Sequence, residues 1–210
     1  MKWIQLPVGP LQENAYIIWN DNKQALIVDP GSEGERIIQT VQKLDVQPLA
    51  ILLTHAHFDH IGAADDVRDA FDIPVYIHKN EQDWLEDPNL NGSARFPLGT
   101  ITARKAEHII SSEQSLTIGH FHMEIFETPG HSPGSISYYF KNGNVVFSGD
   151  ALFQGSIGRT DLPFGNYEQL IKSIHDKLLT LPEETIVCSG HGPETNIENE
   201  MNSNPFLSGF

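Results

Sequence analysis

The chain alternates short apolar runs with polar punctuation, and the period of the alternation changes from one segment to the next. Residues 2–7 (KWIQLP), 14–19 (NAYIIW) and 24–29 (QALIVD) read as short β-strands joined by polar turns, with Asn20, Asp21, Asn22 and Lys23 marking one of them. Over 33–44 (EGERIIQTVQKL) the apolar spacing becomes helical, and Gly31 and Ser32 are available to open the helix. Residues 49–53 (LAILL) are an unbroken apolar run, suited to a central strand covered on both faces. A helix over 61–72, a strand over 74–78, a short helix over 80–87 and a long Gly-, Pro- and Asn-rich loop over 88–107 complete the first half. In the second half, 114–118 and 121–128 read as paired strands. Residues 135–150 form a hairpin with an Asn-Gly turn signal, 167–181 a helix, 184–190 a last strand and 194–203 a short closing helix. No low-complexity segment, heptad pattern or linker interrupts this α/β alternation. One domain over 1–210 is the simplest expectation, large enough to bury a core without disulfides.

Candidate chemistry sits where apolar runs end. Directly after LAILL comes THAHFDH, which packs His55, His57, Asp59 and His60 into about one turn. Three further candidates follow strand-like segments in the same way: His131 after MEIFETPG, Asp150 after NVVFSG and His191 after ETIVCSG. In α/β folds the loops beyond strand ends carry the chemistry, because the sheet holds them rigidly. Gly130, Gly149 and Gly190 each precede one of these ligands, allowing a sharp turn and leaving room for an ion. Five histidines and two aspartates are too many for one tetrahedral ion and suit two, about 3.5–4 Å apart with a bridging carboxylate. We assign His55, His57 and His131 to the first ion, Asp59, His60 and His191 to the second, and Asp150 as the bridge. A lone loop histidine is ordinarily solvated or a cap, but seven donors placed alike are not. Nitrogen and oxygen donors without thiolate suit Zn(2+), with Fe or Mn as alternatives.

Charge then narrows the partners. Twenty-eight acidic against 13 basic residues give a net −15, which repels a phosphate backbone and argues against nucleic acid as partner. No apolar run approaches the roughly 18 residues of a membrane span, and the first residues carry no secretory pattern. The single cysteine, Cys188, excludes an internal disulfide, and a cytoplasmic location is expected.

The motifs THAHFDH, TPGHSPGS, FSGDALF and SGHGP, in that order, resemble the metallo-β-lactamase superfamily over nearly the whole chain. The resemblance implies an αββα four-layer sandwich, two mixed β-sheets flanked by helices, and the same division of ligands. GSIGRTDLPFGNYEQL and the ending NPFL are similar to the small glyoxalase II-like (hydroxyacylglutathione hydrolase-like) enzymes, which act on thioesters such as S-lactoylglutathione. Histidine at both 57 and 60 departs from the β-lactamase branch with Arg and Cys in its second site. It departs equally from the flavodiiron branch, which has Glu at position 57. The chain is also expected to lack the extra domain of the superfamily's large RNases and the helical C-terminal domain of full-length glyoxalase II. The physiological thiol carrier is therefore open.

A water shared by two divalent ions loses its proton near neutral pH, with a pKa of about 7 against 15.7 in bulk. A bridging hydroxide is thus the expected nucleophile, with Asp59 orienting it and Asp150 holding the pair of ions. A thiolate leaving group has a pKa near about 8.5, so no dedicated acid is needed. Arg159 could hold a substrate carboxylate with its forked donors, but an Arg159–Asp161 pair stiffening the loop is the plainer expectation. Tyr138, Tyr139 and Cys188 read as core, Phe58 as pocket wall or packing, and His78, His108, His120, His122 and His175 as ordinary residues. The alternative in another reaction class is a mononuclear iron persulfide dioxygenase-like oxidoreductase, which shares the fold and a similar GRTD loop.

Overall fold

The computed structural model describes residues 1–97 and 99–207. Leu98, inside the expected long loop, and residues 208–210 of the expected domain lie outside the described residues. By contacts, the chain forms two compact units, residues 1–111 with 117–121 and residues 112–116 with 122 onward.

The first unit is built on a mixed six-stranded sheet in sequence order: β1 (Lys2–Val8), β2 (Glu13–Trp19), β3 (Gln24–Val28), β4 (Gln47–Leu52), β5 (Val75–His78) and β6 (His108–Ile110). The first three strands meander antiparallel, and β3 to β6 run parallel. Parallel neighbours need crossovers, and α1 (Gly34–Leu44) supplies the one between β3 and β4. Its apolar residues Ile37 and Val41, one turn apart, are fully buried in the same cluster as Ile27 and Ile51 of the sheet. Each such side chain contributes about 1.5–3 kcal/mol. Ala50, Ile51 and Leu52 are all fully buried, so the LAILL run is covered on both faces as expected.

The expected helix over 61–72 is instead two: α2 (Phe58–Ile61) and α3 (Ala64–Phe71). The physical reason is a close backbone approach. A Cβ on Gly62 would lie 2.5 Å from the Gly31 carbonyl oxygen, and Ala63 donates its N–H to the Pro30 carbonyl at 2.9 Å rather than to a helical partner. The three-residue β6 was not legible, being too short and exposed to show a period. The segment over 80–87 forms a 3-10 turn at 79–84.

In the second unit the sheet order is β14-β13-β10-β9-β8-β7, with β7 (Gln114–Ile118), β8 (Phe121–Glu127), β9 (Ile136–Phe140), β10 (Val145–Gly149), β13 (Ile186–Ser189) and β14 (Thr195–Asn196). A small hairpin of β11 (Leu152–Phe153) and β12 (Ser156–Ile157) stands apart. The β9–β10 connection is longer than a two-residue Asn-Gly turn: Phe140 pairs with Val145, and Asn144 takes the left-handed conformation (φ 49°). Helix α4 (Tyr167–Ser173), capped by the Asn166 side chain accepting from Gln169 N at 3.0 Å, continues into a wider turn through Leu178. Leu170, Ile171, Ile174 and Leu178 bury against Tyr139, Val146 and Val187, and α5 (Ile197–Ser203) adds Ile197. No helix among the described residues is long and apolar enough to cross a membrane.

Candidate metal centre

Strands β3 and β4 run parallel in register, Val28 beside Leu52, so the residues beyond their C-terminal ends emerge side by side. Asp29 N–H donates to the Leu52 carbonyl at 3.1 Å, and its carboxylate then meets Thr54. Asp29 Oδ1 accepts from Thr54 N at 2.7 Å and Oδ2 from the Thr54 hydroxyl at 2.5 Å. The chain continues into His55, His57 and the single turn of α2, which carries Asp59 and His60. The His55 ring lies 4.9 Å from His57 and 4.1 Å from His60, centre to centre. His60 Nε2 is 4.0 Å from Asp59 Oδ2. The first unit thus brings its four expected ligands into one turn. Gly31 shapes that turn, since a Cβ there would lie 1.6 Å from the Asp59 carbonyl oxygen.

Hydrogen bonding around this turn decides which ring nitrogens face outward. Asp29 can only accept, so His60 must donate Nδ1–H to Asp29 Oδ2 at 3.0 Å. The Thr54 hydroxyl spends its one hydrogen on the same Oδ2, so toward His55 Nδ1, 3.1 Å away, it must accept. Both histidines therefore carry their proton on Nδ1 and a lone pair on Nε2. This is the outer-partner arrangement that metal-ligating histidines use. Asp29, His55 and His60 also each offer a ligand atom within 4.8 Å of the others. Two buried carboxylates support the turn: Glu13, 3.6 Å from His60 Nδ1, and Glu81, whose Oε2 accepts from Ala56 N at 2.6 Å.

The second unit repeats the device. Strands β10 and β13 are parallel with Gly149 beside Ser189, and Gly190 N–H donates to the Gly149 carbonyl at 2.8 Å. Asp150 and His191 are delivered together as a result. His131 arrives on the loop after β8, where Gly130 adopts φ 135° and a Cβ would lie 2.3 Å from Leu170 N. His131 Nδ1 donates to the Arg159 carbonyl at 2.8 Å, which again leaves Nε2 with the lone pair. One oxygen, Asp150 Oδ2, stands 3.5 Å from His131 Nε2 and 3.7 Å from His191 Nε2. The second unit thus brings its three expected ligands together.

These donors fit divalent ions: five imidazoles, three of them (His55, His60 and His131) with the tautomer fixed by an Nδ1 partner, plus carboxylates, and no thiolate. Cys188 is buried in β13, where desolvation pushes its thiol pKa far up, so it stays an inert core residue. Arg159 pairs with Asp161 through two bonds of 2.7 and 2.8 Å, and that partner holds the Asp161 carboxyl down to about 2. The Arg159 guanidinium is legible in the sequence, whereas the role of its main-chain oxygen toward His131 is not. Tyr138 and Tyr139 are buried, and Phe58 is buried with its ring 5.0 Å from Phe96. His78 and His175 are internal or half-buried, while His108, His120 and His122 are exposed.

Asp29, Thr54, Glu13 and Glu81 were not singled out from sequence. Asp29 did carry a signal, since it ends an apolar strand just before a turn, as Asp150 does. Glu81 carried none.

Comparison with known proteins identifies the family. The family model described as the metallo-beta-lactamase superfamily matches residues 8–191. A Bacillus subtilis protein named probable metallo-hydrolase YqgX is 59% identical over 210 residues, covering 100% of this chain and 99% of the relative. Hydroxyacylglutathione hydrolase GloC of Haemophilus influenzae is 42% identical over 204 residues, covering 97% and 96%. The crystal structure titled BLEG-1 B3 metallo-beta-lactamase superposes with a TM-score of 0.97 at 58% identity, covering 99% of this chain and 100% of that one. That of TTHA1623 in a di-iron-bound form gives 0.85 at 40% identity, covering 97% and 100%. The expected αββα fold, two mixed sheets with flanking helices, is the one these structures share. With a family model matching residues 8–191 and a relative 59% identical along the whole chain, the chain belongs to the metallo-β-lactamase superfamily.

Proposed function

We propose that this chain is a dinuclear metal-dependent hydrolase of a small thioester, S-lactoylglutathione or another acyl-thiol, acting as one domain in the cytoplasm. The observation that carries the dinuclear reading is Asp150 Oδ2, almost equally distant from His131 and His191, the two histidines we assign to different ions. A carboxylate oxygen so placed suits a bridge. His55 and His57 complete the first set with His131, and Asp59 and His60 the second with His191. Zn(2+) is the expected metal, and the di-iron form of a similar structure keeps iron beside it. Thioester chemistry is supported by the relative named hydroxyacylglutathione hydrolase.

Bound divalent ions would polarise the scissile carbonyl and make a water acidic enough to attack near pH 7. The chain's own residues do the rest. Asp29, directly and through Thr54, holds the His60 and His55 rings in the ligating tautomer. The Arg159 carbonyl does the same for His131. Asp59, with its side chain only 16% exposed, orients the attacking water by accepting its hydrogen bond. The departing thiol has a pKa near about 8.5, so it leaves as thiolate without an acid residue.

The test is a hydrolysis screen over thioesters, lactones, β-lactams and phosphodiesters, run with zinc, iron and manganese reconstituted in turn, beside metal analysis of protein purified without added metal. Thioester turnover with two ions per chain is expected. β-Lactams belong in the screen because a structure titled a B3 metallo-beta-lactamase is 58% identical. Turnover confined to phosphodiesters or β-lactams would reject the substrate class. One iron per chain with oxygen consumption would favour the dioxygenase instead.

A further inference from the structure

The first unit contains a cavity of about 180 Å³ that the metal centre does not use, walled by Val8, Pro10, Leu11, Phe58 and Ile101. Among the described residues, its only polar side chains are Ser32 and Asp59. Asp59 is also a candidate ligand, so the cavity and the proposed centre share one residue. We propose that this cavity is the acyl subsite, and that the preferred substrates carry an unbranched or aromatic apolar acyl group of about six carbons. The inference rests on the thioester reading and sharpens it.

Three observations support that occupant. The size fits, because an apolar cavity of about 150 Å³ is enough for a benzene-sized group. The lining fits as well: apart from Ser32 and Asp59, the latter assigned to the second ion, it is apolar, so a hydrocarbon is covered there while a buried succinyl carboxylate would be left without a partner. The walls are also held in place before anything binds. Glu33 Oε1 accepts from Gly9 N at 2.8 Å, and Arg36 donates to the Pro7 carbonyl at 2.8 Å and to Glu33 at 3.0 Å. Those bonds tie the turn between β1 and β2 to the start of α1. On the opposite wall, Phe58 is braced by Phe96. A preformed apolar cavity of this kind binds without first ordering its own loops. Leu11, 41% exposed, is then an apolar side chain awaiting cover rather than a surface accident.

The test uses the metal-loaded protein and a series of thioesters on one small neutral thiol, N-acetylcysteamine, with acetyl, butanoyl, hexanoyl, decanoyl, benzoyl and succinyl groups. S-Lactoylglutathione is included as reference. We expect kcat/KM to rise about fourfold per added methylene, equivalent to about 0.8 kcal/mol, up to about six carbons and then to fall. Benzoyl should match hexanoyl, and succinyl should be poorest. Ile101→Phe, which fills the cavity, should move the optimum to shorter acyl groups. Leu11→Ala, at a tolerant exposed site, should lower the hexanoyl-to-acetyl ratio. A flat or falling chain-length profile in the wild type would overturn the proposal. An independent binding readout separates this from failure of the thioester reading. Hexanamide should shift the methyl NMR signals of Val8, Leu11 and Ile101, and their staying fixed at saturating hexanamide would equally overturn it. Shifted methyls in a protein that cleaves no thioester would uphold the cavity and reject thioesters as its substrates.

Discussion

Replacing Asp29 with Asn changes one atom and should reverse the proton placement on two histidines. In the wild type Asp29 accepts three hydrogen bonds: from Thr54 N at 2.7 Å, the Thr54 hydroxyl at 2.5 Å and His60 Nδ1 at 3.0 Å. Asparagine keeps one oxygen, which the Thr54 amide claims because a backbone N–H cannot reverse its role. The new NH2 then faces the hydroxyl and His60 Nδ1 with two donors. His60 must accept, so its proton moves to Nε2, the ligating nitrogen. The freed Thr54 hydrogen turns toward His55 Nδ1 and drives the same exchange there. Binding a metal would require restoring Nδ1–H against a facing donor, at the loss of a charge-assisted bond of about 1.5–3 kcal/mol. Losing one outer partner ordinarily costs about 10–100-fold in metal affinity. With two rings affected we expect about 100-fold, or about 2.7 kcal/mol. The metal-free fold should lose only about 1 kcal/mol, because every contact can be rewired and Asn, like Asp, tolerates the φ of 45° at this position. Competition against a chromophoric chelator gives the affinity, and calorimetry of the metal-free protein gives the stability. Thr54→Val, which severs only the His55 branch, should cost about tenfold. Wild-type metal affinity in Asp29→Asn would refute the tautomer argument.

Three further expectations follow from the same geometry. Asp150→Ala and His55→Ala should each abolish hydrolysis and lower bound metal below two ions per chain; a metal-free Asp150→Ala that still turned over would remove Asp150 from the centre. Gly31→Ala forces a methyl against the Asp59 carbonyl, an overpacking worth about 1–3 kcal/mol. It should lower both Tm and metal content, and an unchanged Tm would show the backbone approach to be soft. The Arg159–Asp161 pair, with Asp161 held at about 2 against an ordinary 3.8, contributes above about pH 4 and is lost as pH falls toward 2. An NMR titration of the Asp161 carboxyl should centre near 2, and a midpoint near 3.8 would contradict the pairing.

The alternation of apolar runs determined most of the strand and helix order, because burial imposes a period on any element long enough to show one. It failed where length or backbone contact intervened. The two- and three-residue strands carry no period, and the break between α2 and α3 comes from the 30–31 segment pressing on Gly62. The seven candidate ligands are legible for a different reason. Metal chemistry demands particular residue types, and those types stood where strands end. What only the tertiary structure decided is the state in which those ligands are held. Asp29 acts on His60 from 31 residues away, and the Arg159 carbonyl acts on His131 from 28. The apolar cavity likewise gathers residues 8 to 101 around one void. Such partners are chosen by which strand ends the sheet sets side by side, and a main-chain oxygen has no residue type for a sequence to display.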